Sequence, residues 1–470
     1  MVQGVEIQDG CLVDLNPATG EVIARVPVST RPEVESVLER AVDAQRQVWS
    51  NKPLDERIRL LVAGINVLAG SVEDLAGKIT EEMGKPLAEA KEEAEGAVDK
   101  AELLDLIADA NRDELHGGGQ SVVVRDPLGV VAVLSPWNYP SDEILLLALP
   151  ALAAGNTVIV KPSEVAPVVG RMTVEAVAST LPPGVLQLVQ GDGGVGAWLV
   201  GSDKVDMVAM TGSSAVGRSI MSSCAPGLKR LVLELGGKDP MLVFGDADLN
   251  LAASDAVRCS LSNTGQVCCS VERVYVDKNM KEAFEEKVVE IAKTYLVGDG
   301  SDETNKVGPL VSRMQRDRVA EQVGVAVKSG AKILYQSSVP DSGSDWSSFY
   351  PVTVLGEIKQ GMDIQHLETF GPVVSLSTFD GSEEEAVRLA NDTEYGLASS
   401  VYTTDIEKAR RVARKIKAGQ VGINCYSIDN ADLRCPWVGH KSSGFGYHSG
   451  KDGWRQFSVP KSLVFTEPMP

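Results

Sequence analysis

From about residue 130 onward, short and continuously apolar runs alternate with longer stretches of helical character. The apolar runs lie at residues 130–134, 157–160, 186–189, 207–210 and 231–233. Continuous apolar strands separated by helices are typical of a parallel sheet that is covered on both faces. We therefore expect right-handed connections and a ligand beyond the carboxyl ends of the strands.

The remainder of the chain predicts further elements around this unit. A second α/β block is expected over about residues 240–420, with strands at 274–276, 372–379 and 421–424 and helices at 281–295 and 383–390. The other expected elements are a turn at 16–20, helices over 31–111 with a break at Lys85-Pro86, a strand at 121–125, a surface loop at 337–348 and a last strand at 462–465. A chain of 470 residues is too long for one ordinary core, so we expect two or three domains.

Charge and composition exclude several classes of partner. The net charge is -20 and no basic patch stands out, which disfavours nucleic acid and anionic membrane surfaces. No apolar run reaches the ~18 residues of a membrane-spanning helix, and the N-terminus lacks the pattern of a signal peptide. Seven cysteines without regular spacing indicate free thiols in a reducing compartment, so we expect a cytoplasmic protein.

A cysteine pair, Cys268-Cys269, follows an Asn-Thr-Gly-Gln run and precedes a predicted strand. A thiolate on such a loop can add to a carbonyl, hold the acyl group as a thioester and then leave. The alternative is a small buried filler, because free cysteine is among the most buried residue types. Metal binding is not indicated, since the four histidines do not pair with the cysteines at ligand spacing.

Two glycine-rich loops are alternative candidates for a phosphate-binding site. Residues 191–196 fit the G-x-G-x-x-G template of a dinucleotide-binding turn after a strand, with Asp206 as the candidate acidic partner. A turn with glycines for close packing explains that loop equally well. Residues 212–219 nearly fit a P-loop but carry Arg218 where that loop needs lysine, which argues against an NTPase. We prefer a diphosphate at this second loop, where a helix begins.

Several spaced motifs together resemble the aldehyde dehydrogenase superfamily, and the resemblance covers nearly the whole chain. The motifs are Pro136-Trp137-Asn138-Tyr139-Pro140, Lys161-Pro162-Ser163-Glu164, Thr211-Gly212-Ser213 with Gly217, Leu233-Glu234-Leu235-Gly236-Gly237-Lys238, Gly265-Gln266-Val267-Cys268, Glu368-Thr369-Phe370-Gly371-Pro372 and Tyr395-Gly396-Leu397-Ala398. The resemblance implies oxidation of an aldehyde to a carboxylate with NAD or NADP, in a homodimer or homotetramer.

The resemblance also implies a division of the α/β fold. Residues 1–112 and 130–236 would form a Rossmann-like cofactor-binding domain, and 237–451 a catalytic domain. Residues 113–129 and 452–470 would form a small β oligomerisation element, in which the Gln120 region pairs with the C-terminal strand.

Three residues match the catalytic positions of the family. Cys268 matches the nucleophile, whose addition to the aldehyde gives a thiohemiacetal. Asn138 matches the side-chain donor to the oxyanion, and the backbone N–H of Cys268 would be the second donor. Glu234 matches the general base that activates water to cleave the thioester. Without the resemblance, Asn138 reads as a turn residue before proline and Glu234 as a strand-end carboxylate.

The cofactor positions carry over in the same way. Lys161, Ser163 and Glu164 match the region that holds the adenosine ribose, and Glu164 favours NAD because a carboxylate repels a 2′-phosphate; dual use stays open. In this family the dinucleotide lies against the second glycine loop. The remaining matches are Trp137, Gly212, Ser213 and Gly217 for the cofactor, Glu368 for the nicotinamide ribose and Phe370 for the nicotinamide end.

Substrate positions and departures from the family pattern are less specific. Tyr139 and Cys269 are predicted to line the substrate tunnel, together with Leu146 and residues 425–433. Met210 stands where phenylalanine is common, and Trp437-Val438 replaces Phe-Gly in a C-terminal motif. A broad preference for small or medium aldehydes is expected. The rivals are a CoA-acylating semialdehyde dehydrogenase, which does not need Glu234, and a catalytically silent protein on the same fold.

Overall fold

The computed structural model describes residues 5–340, 348–429 and 431–467. Its strands are β1 (Glu6–Gln8), β2 (Cys11–Leu15), β3 (Val22–Pro27), β4 (Glu114–His116), β5 (Ser121–Pro127), β6 (Val130–Leu134), β7 (Thr157–Lys161), β8 (Leu186–Leu188), β9 (Met207–Thr211), β10 (Arg230–Glu234), β11 (Asp239–Val243), β12 (Val271–Asp277), β13 (Lys332–Gln336), β14 (Thr353–Gly356), β15 (Val373–Phe379), β16 (Ala398–Tyr402), β17 (Gln420–Ile423), β18 (Trp437–Val438), β19 (Gly444–Phe445), β20 (Tyr447–His448) and β21 (Ser458–Val464).

The α-helices alternate with these strands through most of the chain. They are α1 (Arg31–Ala44), α2 (Leu54–Ala69), α3 (Val72–Met83), α4 (Leu87–Val98), α5 (Ala101–Ala110), α6 (Asp142–Ala153), α7 (Pro167–Ala178), α8 (Gly193–Gly201), α9 (Ser214–Cys224), α10 (Leu249–Leu261), α11 (Lys281–Ala292), α12 (Arg313–Lys328), α13 (Glu383–Asn391), α14 (Ile406–Ala413) and α15 (Gly450–Trp454).

The five predicted apolar runs form strands of a six-stranded sheet in the order β19-β10-β9-β6-β7-β8, and the short β19 is added at its edge. All neighbours in it are parallel except the short β19, which pairs antiparallel with β10. Every residue of β7 is buried, as expected for a strand that packs against helices on both faces. The predicted α/β fold class with a Rossmann-like parallel sheet is confirmed.

A seven-stranded sheet forms the second block, in the order β13-β14-β15-β12-β11-β16-β17. The three strands predicted there are present, but β11, β13, β14 and β16 were not predicted from the sequence. In β16 two serines stand in the middle of a strand whose five residues are all buried. Its burial comes from its neighbours in the sheet, so its own composition gives only a weak strand signal.

A three-stranded antiparallel sheet, in the order β21-β5-β4, joins the region after the N-terminal helices to the C-terminal segment. Strand β21 runs from Ser458 and is longer than the predicted 462–465, and its register pairs Val464 with Ser121. The backbone N–H of Phe465 donates to Gln120 O at 2.9 Å, as the resemblance implied for this region. The domain bounds themselves stay a proposal, since β19, at residues 444–445, joins the first sheet.

The N-terminal region agrees with its predicted elements. Asn16 Oδ1 accepts from the backbone N–H of Ala18 at 2.8 Å in the turn that joins β2 to β3. The Lys85-Pro86 break separates α3 from α4. Within the described ranges no single helix is long and apolar enough to cross a membrane, although the bent pair α2 and α3 passes that test together. Part of the predicted loop at 337–348 lies outside the described residues.

Candidate active site

The carboxyl edge of the six-stranded sheet meets the amino edge of the seven-stranded sheet, and the predicted site residues lie at this junction. Lys161, Thr211 and Glu234 are the last residues of β7, β9 and β10. Cys268 precedes β12 and Phe370 precedes β15. A ligand that binds beyond the carboxyl ends of the first sheet therefore faces the loops that lead into the second.

The loop before Cys268 is tightly constrained. After α10, a short 3₁₀ turn spans Ser262–Gly265, and its Asn263 and Thr264 have positive φ angles of 47° and 60°. Both are completely buried and hydrogen-bonded, which holds an otherwise unfavourable backbone conformation in place. The Gln266 side chain also bonds this turn, donating from Nε2 to Asn263 O at 3.1 Å. The position of the cysteine is thus set by buried polar contacts.

Asn138 lies directly against this loop. Its side chain is 6% exposed, and its Nδ2 donates to Gln266 O at 3.1 Å. Its backbone carbonyl accepts from Lys85 Nζ at 2.8 Å and from Asn263 Nδ2 at 3.1 Å. An amide NH₂ has two donors, so one N–H of Asn138 is left for another acceptor near the cysteine.

Lys85 is a buried cation that the sequence reasoning did not single out. It forms an ion pair with Glu93, and both side chains are almost completely buried. Its Nζ also lies 3.8 Å from the centre of the Tyr139 ring. Because truncating one partner of a buried pair leaves an uncompensated charge, Lys85 and Glu93 are expected to matter for the position of Asn138 and Tyr139.

Glu234 ends β10 with a side chain that is 5% exposed. Trp437 Nε1 donates to its Oε1 at 3.2 Å, and among the described residues its Oε2 has no hydrogen-bond partner. Burial, together with the nearby Glu143 carboxyl, raises the pKa of Glu234 well above its usual range, while Trp437 and the Cys268 thiol partly offset this. A carboxyl whose pKa is raised in this way binds a proton more readily than an exposed glutamate does, as a general base requires.

Gly237 brings the Glu234 strand and the cysteine loop together. A Cβ at this position would lie only 2.4 Å from the carbonyl oxygen of Cys268. No side chain fits at that distance, so only glycine permits this approach of the two backbones. The Glu234 and Cys268 side chains can therefore face one space, and their mutual influence on pKa agrees with that.

The two adjacent thiols occupy different environments. Cys268 is partly exposed, whereas Cys269 is 3% exposed with its Sγ 3.2 Å from Tyr426 Oη. A hydrogen bond with Cys269, burial and the Glu234 carboxyl raise the pKa of the Cys268 thiol well above its usual range. All seven cysteines are free. Cys269 thus packs against Tyr426, and of the two cysteines only Cys268 is accessible to a substrate.

The second glycine loop connects β9 to α9. A Cβ on Gly212 would lie 2.4 Å from the Met210 methyl group. Met210, which stands where the family commonly has phenylalanine, therefore packs against the backbone of this loop. Ser213 is the N-cap of α9 and accepts from the Val216 N–H at 3.4 Å. Gly217, one turn on, packs against Leu235. The loop therefore presents a helix N-terminus, which favours an anion such as a diphosphate.

The first glycine loop is engaged in local contacts. Asp192 is the N-cap of α8 and accepts from the Gly194 N–H at 2.9 Å. Asp206, the acidic candidate of the fingerprint pattern, accepts from the Val130 N–H at 2.8 Å. These contacts account for both acidic residues without a nucleotide.

Lys161 and Glu164 form an ion pair at the end of β7, with Lys161 Nζ 2.9 Å from Glu164 Oε2. Lys161 and Ser163 are buried, and Glu164 is partly exposed. This places a charged pair with polar atoms beside the start of α8. Such a pair can bind ribose hydroxyl groups, which need both a donor and an acceptor.

Glu368 and Phe370 lie on the segment that leads into β15. Glu368 Oε1 accepts from the Gly237 N–H at 3.1 Å, and burial and the nearby Glu272 raise the pKa of Glu368 to about 7. Phe370 has a φ of 54°, held by the hydrogen bond from its N–H to Glu272 Oε1 at 2.9 Å. Trp137 meets the Phe370 ring edge-on, with centroids 5.5 Å apart.

These positions fit a dinucleotide that runs from β7 across the α9 N-terminus toward Cys268. The residues implied for the ribose and the diphosphate follow the ends of β7 and β9, and those implied for the nicotinamide end, Glu368 and Phe370, lie on the segment that leads into β15. The buried Glu234 oxygen without a partner marks polar space near the cysteine. In the described part of the chain, no group of three or more acidic, cysteine or histidine side chains is placed to hold a metal ion.

Comparisons with known proteins agree with this geometry. The sequence profile of the aldehyde dehydrogenase family matches residues 5–463. Betaine aldehyde dehydrogenase of Brucella anthropi is 37% identical over 452 residues, which cover 95% of this chain and 92% of that protein.

Two solved structures are similar to this chain over nearly their whole length. Aldehyde dehydrogenase C of Pseudomonas syringae, a cysteine-to-alanine variant in complex with NAD⁺ and octanal, has a TM-score of 0.91 and 32% identity, covering 99% of this chain and 95% of that one. Betaine aldehyde dehydrogenase of Staphylococcus aureus in complex with NAD⁺ has a TM-score of 0.90 and 33% identity, covering 97% and 92%. The resemblance inferred from the motifs is thereby confirmed: this chain belongs to the aldehyde dehydrogenase family, the NAD(P)-dependent oxidoreductases that act on aldehydes.

Proposed function

We propose that the enzyme oxidises its aldehyde through a covalent intermediate on Cys268 and releases the acid by hydrolysis with Glu234 as the base. The observation that carries the proposal is the convergence of three groups. The Cys268 thiol is partly exposed, the Asn138 amide is bonded to the loop that carries this cysteine, and the Glu234 carboxyl lies close enough to the thiol for each to shift the pKa of the other. Acyl transfer needs these three roles: nucleophile, oxyanion donor and base.

The first step is addition of Cys268 to the aldehyde carbon. The raised pKa of the thiol means that it must lose its proton as it attacks, and the Glu234 carboxylate beside it can accept that proton. The free N–H of Asn138 stabilises the oxyanion of the thiohemiacetal. This donor costs no reorganisation, because Lys85 and Asn263 already hold the backbone carbonyl of Asn138.

NAD(P), held by the cofactor positions described above, would supply the hydride acceptor, so that oxidation of the thiohemiacetal would leave a thioester on Cys268. Glu234 first releases the proton of the thiol to solvent; it then removes a proton from the attacking water, and the hydroxide adds to the acyl carbon. The C–S bond breaks, the thiolate of Cys268 leaves and the carboxylic acid departs. The burial of Glu234, whose Oε1 accepts from Trp437 Nε1, keeps its basicity high for this step.

Two rivals make different demands on the site. A CoA-acylating enzyme needs no carboxylate to activate water, whereas Glu234 is buried, basic and directed to Cys268. A catalytically silent protein on this fold has no reason to keep a strained and buried turn in front of an accessible cysteine. Both features favour the hydrolytic enzyme.

Cofactor preference is proposed to be NAD over NADP. The Glu164 carboxylate lies where the resemblance places the adenosine ribose, and it would repel a 2′-phosphate. Lys161 offsets this repulsion in part, since its Nζ pairs with that carboxylate at 2.9 Å. Measurable activity with NADP is therefore compatible with the proposal.

For the substrate, we propose small or medium aldehydes rather than one specialised compound. Two relatives named above are betaine aldehyde dehydrogenases, and a third binds octanal. Tyr139 is an aromatic candidate for binding a trimethylammonium group, but Lys85 already lies over its ring. Cys269 and Tyr426 form the wall beside the nucleophile. The aromatic ring that could bind a cationic substrate is thus already in contact with a lysine, which argues against a site specialised for such a substrate.

We also propose that the three-stranded sheet β21-β5-β4 mediates formation of a homodimer or homotetramer. Its strands expose apolar side chains, among them Leu115 at 64% and Val464 at 78%. Exposed apolar groups on a sheet of this kind are typical of an interface. A cytoplasmic location is proposed on the free state of all seven cysteines.

The test is the absorbance of reduced nicotinamide with purified protein, NAD or NADP, and a panel that includes betaine aldehyde, octanal and short aliphatic aldehydes. Growth of the band without CoA supports the hydrolytic reaction. Activity that appears only with CoA would replace it by the acylating rival. Silence under reducing conditions with every aldehyde would favour the non-catalytic alternative.

A further inference from the structure

Glu143 is a second carboxyl at the active site that the motifs do not explain. It lies in the first turn of α6 and is partly exposed. Its Oε2 accepts from Thr211 Oγ1 at 2.8 Å, and none of the ion pairs among the described residues involves it. A carboxylate near a catalytic base, held by a neutral hydroxyl, is available for proton exchange in a way that a salt-bridged one is not.

Thr211 links Glu143 to Glu234. Strands β9 and β10 are parallel neighbours, and Thr211 is the register partner of Glu234. Adjacent strands lie ~4.8 Å apart, and register partners project from the same face of a sheet. The Glu143 carboxyl, bonded to the Thr211 hydroxyl, is therefore close to the base, and it is the strongest charged neighbour acting on Glu234.

The base needs such a neighbour because it is enclosed. Glu234 is 5% exposed, and in the described structure its Oε2 has no partner. A proton taken from water in one cycle must leave before the next. Glu143 is more exposed and adjoins Asp142, which lines a cavity of about 250 Å³ together with Lys100 and Glu93. A polar cavity therefore lies beside Asp142, the residue that precedes Glu143.

We propose that Glu143 acts as the proton acceptor that resets Glu234 after thioester hydrolysis. The proposal rests on the hydrolytic function argued above. The O–H bond on Glu234 breaks, its electron pair stays on the Glu234 carboxylate, and a new O–H bond forms on the Glu143 carboxylate. Glu143, which is partly exposed, then gives the proton to water. Glu143 acts through Glu234 and is a positioning residue for the proton, not a group that touches the substrate.

The charged surroundings suit this role. Burial of its carboxyl group, followed by the Asp142 and Glu93 carboxyls, raises the pKa of Glu143 to about 7, while the Thr211 hydrogen bond and Lys100 lower it in part. The groups that act on Glu234 are Glu143, Trp437, Cys268 and Cys269. A proton acceptor with a pKa near 7 exchanges readily with water at neutral pH.

The experiment compares Glu143→Gln with Glu102→Gln, an exposed first-turn glutamate of another helix. For Glu143→Gln we expect a normal first turnover, a steady-state kcat lowered about tenfold, and partial recovery of kcat with added formate or acetate as an alternative proton acceptor. The acid limb of the kcat–pH profile should also move to lower pH, because Glu234 loses a repelling neighbour. Glu102→Gln should match the parent enzyme.

Further variants separate the possible failures. Glu143→Asp keeps a carboxyl and should retain more turnover than Glu143→Gln at equal fold stability. An unchanged pH profile and kcat in Glu143→Gln, with acyl-enzyme still accumulating in Glu234→Gln, would overturn the relay and leave the proposed function intact. If Glu234→Gln neither accumulates acyl-enzyme nor slows turnover, the proposed function fails, and the relay fails with it.

Discussion

Trp437 provides a sharp test of how the base is tuned. Its indole N–H donates to Glu234 Oε1 at 3.2 Å, at a position where the family commonly has phenylalanine. Trp437→Phe keeps an aromatic ring but removes this donor. A hydrogen bond to a charged group contributes roughly 1.5–3 kcal/mol, and the long distance favours the lower end. About 1.4 kcal/mol corresponds to one pKa unit, so the pKa of Glu234 should rise by about one unit.

The expected result is a change in the acid limb of deacylation. Glu234 acts as a base when ionised, so a higher pKa moves the acid limb up by about one unit, and the rate below that limb falls about tenfold. Above the limb the rate should be unchanged. The measurement is the rate of acyl-enzyme decay against pH by rapid quench and mass spectrometry. Trp198→Phe, at an exposed position on α8, is the control. An acid limb that stays in place or moves down would refute the reasoning.

Three further predictions concern other parts of the chain. Cys269→Ala should retain most of the turnover, because Cys269 packs against Tyr426; loss of activity equal to that of Cys268→Ala would contradict this. Glu164→Gln should raise the ratio of kcat/KM for NADP to that for NAD, and an unchanged ratio would remove Glu164 from the ribose site. Asp14 is 2% exposed, and burial is the main cause that raises its pKa from 3.8 to about 6. Its protonated form therefore stabilises the fold at low pH, and this contribution is lost as the pH rises through 6. Asp14→Asn should therefore increase the free energy of unfolding at pH 8 by about 1–3 kcal/mol and give little gain at pH 4; urea denaturation at both pH values checks this.

Much of the fold could be predicted because its strongest signals are local. The apolar strands β6, β7, β9 and β10 are short continuous runs that only a doubly covered sheet explains. Strand β16 could not be recognised, because its serines become buried only through neighbours far away in the sequence. The predicted strand 462–465 was too short, since β21 begins at Ser458 and contains a proline.

The candidate site divides in the same way. Cys268, Asn138 and Glu234 belong to motifs whose spacing is visible along the chain. Lys85 and Glu143 are not visible in this way, because their importance comes from contacts across 53 and 68 residues of sequence. From the sequence alone, a charged residue in a helix is assigned to the solvent-exposed side, and only the structure shows which buried groups it contacts.

The central claim is a thioester on Cys268 that Glu234 helps to hydrolyse. The most direct measurement is the intact mass and peptide map of Glu234→Gln, quenched after mixing with NAD and an accepted aldehyde in the absence of CoA. The account predicts an acyl adduct on the peptide that contains Cys268, lost slowly and absent from Cys268→Ala. An adduct on another residue, or normal turnover of Glu234→Gln without any adduct, would contradict it.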